Sequence, residues 1–97
     1  MAYLYDPVDQ ELAALTRLAG GFAGKRVLEV GCGNGRITRK YASQAAHIDA
    51  IDPNESKIER AFELASANET HVHYHAVALE DFQAAQPYDL VILAWSL

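Results

Sequence analysis

Residues 27–36 read Val27-Leu28-Glu29-Val30-Gly31-Cys32-Gly33-Asn34-Gly35-Arg36. The run Arg26 to Val30 has the apolar character of a short buried strand, and it breaks directly into three alternating glycines. Downstream, Ile37, Tyr41 and Ala45 share one face while Arg36, Arg39 and Lys40 share another, which predicts a helix with a solvated basic side. A strand that enters a helix through glycines is how α/β folds bring backbone against a phosphate or nucleotide. Glycine permits the sharp turn and the close approach that other residues forbid. The spacing here is Glu-x-Gly-x-Gly-x-Gly, which differs from the Gly-x-Gly-x-x-Gly of dinucleotide-binding turns.

The pattern around this stretch repeats it. Upstream, Asp6 caps and Pro7 opens a helix whose apolar positions are Val8, Leu12, Leu15 and Leu18 or Ala19, with Gly20 and Gly21 as its stop. Downstream, His47 to Ile51 reads as a strand closed by Asp52-Pro53, since proline pushes the preceding residue into an extended conformation. Asn54 then caps a helix carrying an apolar stripe, Ile58, Ala61, Phe62 and Ala65, expected to pack as core. His71 to Val77 reads as a strand with Val72, Tyr74 and Ala76 on one face and His71, His73 and His75 on the other. Leu79 to Ala85 has one or two helical turns, Gln86-Pro87 turns the chain, and Asp89 to Ala94 is an apolar strand. Strands alternating with helices predict parallel pairing through right-handed crossovers, hence an α/β, doubly wound parallel sheet in one domain spanning residues 1–97.

Composition narrows the function. The chain has 97 residues, 51% hydrophobic and 22% charged, which is a globular mixture. Thirteen acidic against eight basic residues give a net charge of −5, a field that repels phosphate backbones, so no nucleic-acid partner is expected. No apolar run approaches the roughly 18 to 20 residues of a membrane span, and the longest is Leu90 to Trp95. The N-terminus lacks the basic and apolar regions of a secretory signal, and the single cysteine excludes an internal disulfide. The expected location is the cytoplasm. Cys32 has no neighbouring base in the local sequence and reads as the small residue a glycine loop requires, not as a nucleophile. His71, His73 and His75 stand about 7 Å apart in succession, close enough for two to share a metal. A solvated edge face is the plainer reading, and no metal is expected.

Asp52 ends the strand after the glycine loop, where a carboxylate accepts hydrogen bonds from two ribose hydroxyls. With Glu29 and the glycine spacing, the sequence closely resembles the class I S-adenosylmethionine-dependent methyltransferases over nearly its whole length. The resemblance implies a Rossmann-like sheet with the four strands in the order 3-2-1-4, S-adenosyl-L-methionine as cofactor and S-adenosyl-L-homocysteine as product. It implies that Glu29 orders the loop and reaches the methionine amino group, directly or through water, that Gly31, Cys32 and Gly33 contact the cofactor through backbone, and that Asp52 binds the ribose. Pro53 or Asn54 would lie along the adenine, and Ala94 to Ser96 would face the methionine end. Ala78 stands where the family usually has an acidic residue for the adenine amine. This departure leaves the Leu79 N–H to meet the ring, with Glu80 or Asp81 as substitutes.

The family's sheet has seven strands, and this sequence stops after the fourth. The half that normally completes the acceptor site is therefore expected to be absent, and the fourth strand to be a bare apolar edge. A second copy pairing through Leu90 to Trp95 is one expected cover for it. Methyl transfer from a sulfonium requires alignment more than acid–base help, so no residue is singled out as catalytic. The expected function is methyl transfer to an unidentified acceptor, a small molecule being favoured. The alternative is a non-catalytic module that self-associates or docks a partner through that strand. The glycine spacing disfavours a dinucleotide oxidoreductase.

Overall fold

The computed structural model describes residues 2–5 and 21–94. Among them five parallel strands form one sheet, β1 (Ala2–Tyr5), β2 (Arg26–Val30), β3 (His47–Asp52), β4 (Val72–Ala76) and β5 (Leu90–Leu93), in the order β1-β5-β2-β3-β4. The helices are α1 (Thr38–Tyr41) and α2 (Glu55–Leu64), and a 3-10 turn spans Leu79–Asp81. All four strands read from the sequence are present, and β4-β3-β2-β5 is the expected 3-2-1-4 order. The helix expected over Asp6 to Ala19 lies outside the described residues, as do Trp95 and Ser96.

Alternation along the strands assigns each residue a side. Val27, Ile48, Ala50, Leu90 and Ile92 face α1 and α2, meeting Phe22, Ile37, Tyr41, Ala45, Ile58 and Ala61 in the larger core. Leu28, Val30, Ile51 and Val91 face the other way and meet Tyr88, with Val77, Phe82 and Leu93 at the margin. Helix α2 starts as its sequence predicts: the Asn54 side chain accepts from the Lys57 N–H at 3.1 Å. Among the described residues no helix is long and apolar enough to cross a membrane.

Three expectations need correction. Strand β5 is not an edge, because β1 lies along its outer side in parallel register, Ala2 opposite Leu90 through Tyr5 opposite Leu93. The backbone groups on that side of β5 require partners, and residues 2–5 supply them. The premise for pairing with a second copy through Leu90 to Trp95 is thereby removed. Phe62 is not core but 59% exposed. Helix α2 sits at the β4 end of the sheet, and the Phe62 ring overhangs it, meeting Tyr74 edge-on at 5.9 Å. Finally, the helical turns expected over Leu79 to Ala85 shrink to the single 3-10 turn.

Parallel strands have one further effect. The chain leaves β2, β3, β4 and β5 at the same end of the sheet, so Gly31–Gly35, Asp52–Asn54, Val77–Glu80 and Ala94 are gathered there.

Candidate functional site

The glycine loop needs its glycines. Gly31, Gly33 and Gly35 have φ of 83°, 57° and 83°, in the left-handed region that side chains disfavour. The loop is tied to the next strand by the Gly31 and Cys32 N–H groups, which both donate to the Ile51 carbonyl at 2.9 and 3.1 Å. It closes on itself through the Gly35 N–H to the Cys32 carbonyl at 3.0 Å.

Asp52 joins this loop to the one after β3. Its Oδ2 accepts from the Gly33 N–H at 3.0 Å, and its Oδ1 accepts from the Asn54 N–H at 2.9 Å. A carboxylate has about four acceptor positions, so two are used and two are left for a pair of hydroxyls. Beside it opens a cleft of about 460 Å³, lined among others by Gly31, Ile51, Asp52, Pro53, Val77, Ala78 and Leu79. Ile51, Pro53, Val77, Ala78 and Leu79 give it an apolar lining of the kind a flat aromatic base requires, with the Asp52 carboxylate beside them.

A smaller recess adjoins the cleft at Gly31. It is lined by Glu29, Cys32, Asn34 and Ala94, with Arg36 and Ile37. Glu29 is fully buried, and its Oε1 accepts from the Thr38 hydroxyl at 2.8 Å and the Tyr41 hydroxyl at 2.6 Å. Burial, with the Glu29 and Asp52 charges adding to it, pushes the Cys32 thiol far above its ordinary range. That shift and the S–H directed at the Gly33 carbonyl at 3.6 Å both disfavour a nucleophilic role.

The structure thus gathers the residues singled out from the sequence into one continuous site. Gly31, Asp52, Pro53, Ala78 and Leu79 line the cleft, Glu29, Cys32 and Ala94 line the recess, and Gly33 bridges to Asp52. Of the substitutes considered for the base end, Glu80 is on the cleft wall. Lys57 also lines the cleft and was missed. Its signal was its place in the first turn after the Asn54 cap, which aims that turn at the strand ends. The partners of Glu29 have no signal in the local sequence, where the spacing of Tyr41 marks only an apolar position. The histidines find a different use: His47 and His75 hydrogen-bond Asp49, both at 2.9 Å, on the sheet face opposite the helices.

The arrangement offers an apolar cleft beside a carboxylate with acceptor positions to spare, and next to it a small recess bordered by a buried carboxylate. A family model described as a methyltransferase domain matches residues 27–97. The ubiquinone biosynthesis O-methyltransferase of Bordetella parapertussis is 40% identical over 84 residues, which is 82% of this chain and 34% of that protein. Its counterpart in Pasteurella multocida is 30% identical over 82 residues, 80% of this chain and 34% of that one. The chain spans about a third of the length of these curated relatives. Among solved structures, the N-methyltransferase NodS from Bradyrhizobium japonicum WM9, in complex with S-adenosyl-L-homocysteine, has a TM-score of 0.70 at 26% identity. That similarity covers 84% of this chain and 41% of NodS.

Proposed function

Because the chain belongs to the class I S-adenosylmethionine-dependent methyltransferases, we propose that its cleft and recess bind S-adenosylmethionine and present its methyl group to a small-molecule acceptor. The observation that carries this reading is Asp52, whose carboxylate holds the glycine loop by one oxygen and its own loop by the other while lining the cleft. The donor set fits the cofactor: a carboxylate for the ribose diol, a buried carboxylate for the amino group, and an apolar wall for the adenine.

The bound cofactor supplies an electrophilic methyl on a sulfonium, which leaves the protein mainly a task of alignment. Asp52 would hold the ribose and Glu29 the amino-acid end, and the glycine loop would let the stretch between them lie against backbone. Gly31 lines both the cleft and the recess, so a ligand occupying both would pass it. Lining the recess, Ala94 has only a methyl group and leaves room where the acceptor must approach. A small acceptor is supported by the net charge of −5 and by relatives named for ubiquinone biosynthesis. A cytoplasmic location is supported by the lone, buried, reduced Cys32.

Titration calorimetry with S-adenosyl-L-homocysteine tests the reading. Binding in the micromolar range is expected, about −8 kcal/mol. Asp52→Ala should weaken it by about 1.5 to 3 kcal/mol, the value of a hydrogen bond to a charged group. The circular dichroism spectrum of the variant should match the parent. Absence of heat from folded parent protein would reject the proposal.

A further inference from the structure

The buried contacts of Glu29 go further than the cleft itself. Both hydroxyl donors come from α1, three residues apart on one side of the helix, and both land on the same carboxylate oxygen. Thr38, Tyr41 and Glu29 are each 0% exposed. The terminal torsion of a glutamate side chain is ordinarily broad and roughly two-fold. Two donors on one oxygen remove that freedom: Oε1 is pinned toward α1, so the plane of the carboxylate is set by the helix. Tyr41 is suited to donate, since burial first and the Glu29 charge second raise its hydroxyl well above the usual phenol range and keep the proton on it.

We propose that Tyr41 and Thr38 are positioning residues that orient the Glu29 carboxylate toward the cationic amino-acid end of the methyl donor. The inference rests on the methyl-donor reading above. Glu29 lines the recess whereas Thr38 and Tyr41 do not, so the two hydroxyls act through the carboxylate. The competing account is a buried polar cluster that serves stability alone. The two accounts differ in which part of the ligand feels a substitution. A positioning role is felt only by a ligand that carries the ammonium group, whereas loss of folded protein is felt by every ligand equally.

The test compares S-adenosyl-L-homocysteine with 5′-methylthioadenosine, which keeps the nucleoside and sulfur but lacks the amino acid. Tyr41→Phe preserves the ring that stacks on Phe22 at 4.4 Å, so the core contact survives. Its expected result is an affinity about tenfold lower for S-adenosyl-L-homocysteine and within about twofold for methylthioadenosine, the size of one hydrogen bond to a charged group. Thr38→Val should repeat the pattern and Thr38→Ser, which retains the hydroxyl, should restore parent behaviour. Equal losses for both ligands, or no loss for either, overturn the inference while the parent's own binding keeps the methyl-donor reading. A folded parent that binds neither ligand overturns both.

Discussion

Asp49→Ala is expected to lower the free energy of unfolding by about 2 to 4 kcal/mol, read as a shift of the urea midpoint at pH 7. Asp49 is 9% exposed and lies on the sheet face away from the helices. Its carboxylate takes the Tyr88 hydroxyl at 2.5 Å on Oδ2, the His47 Nε2 at 2.9 Å on the same oxygen, and the His75 Nε2 at 2.9 Å on Oδ1. Alanine removes all three acceptors at once. The imidazoles are partly exposed and can turn to water, but Tyr88 is buried and its hydroxyl would be left without a partner. The same contact seats the segment before β5, where the Arg26 side chain lies over the Tyr88 ring and donates to the Pro87 carbonyl at 3.2 Å.

The effect has a defined pH dependence. Burial alone would raise the Asp49 carboxyl, but the hydrogen bonds from Tyr88, His75 and His47 outweigh it, and the net shift is downward from 3.8. A carboxyl lowered in the folded state binds its proton more readily in the unfolded chain. Its stabilisation is therefore fully present above about pH 4 and is lost as pH falls through the folded value. The gap between parent and Asp49→Ala should be constant through neutral pH and close in acid. A gap that widens in acid would contradict this assignment.

Gly35→Ala is expected to cost about 2 to 5 kcal/mol, from two separable sources. The first is conformational, because Gly35 has φ of 83° and an L residue there is strained by about 1 to 2 kcal/mol. The second is steric: a Cβ at this position would stand 2.7 Å from the Tyr74 hydroxyl and 3.1 Å from its Cε1. Tyr74 is 6% exposed in the larger core and cannot simply swing away. Its hydroxyl, however, has no hydrogen-bond partner among the described residues, so Tyr74→Phe alone should be neutral or slightly stabilising. In the double variant the hydroxyl clash disappears, and the two changes should couple favourably by about 1 kcal/mol or more in a double-mutant cycle. Strict additivity would mean that the strain is all in the backbone.

The legible parts of this protein were those written in local order. Val27 to Gly35 names a strand, a turn and a ligand-facing loop within nine residues, and Asp52-Pro53 announces its own role through proline. Asn54 states where α2 begins. Other features depend on which strands lie side by side. The pairing of Asp49 with His75 needs the register of β3 against β4, in which Asp49 faces His73 and Ile51 faces His75, and no short window contains it. The exposure of Phe62 depends on α2 lying at the margin of the sheet, which its flawless apolar spacing could not reveal. Tyr41 was half legible: its spacing placed it in the core, but the carboxylate that uses its hydroxyl sits on a different element. Least legible was β1, four residues whose sheet partner among the described residues is β5, more than eighty positions later.

That last pairing sets an order of events during synthesis. Strand β5 leaves the ribosome after every other strand of the sheet, yet it is the one that joins β1 to the rest. Until it arrives, β2 can pair only with β3, and β1 has no neighbour at all. Before β5 is made, the side of β2 that it will cover and β1 itself have no sheet neighbour. Joining β1 to the sheet also brings Ala2 beside Leu90, a non-local contact whose loop closure costs entropy and slows its formation.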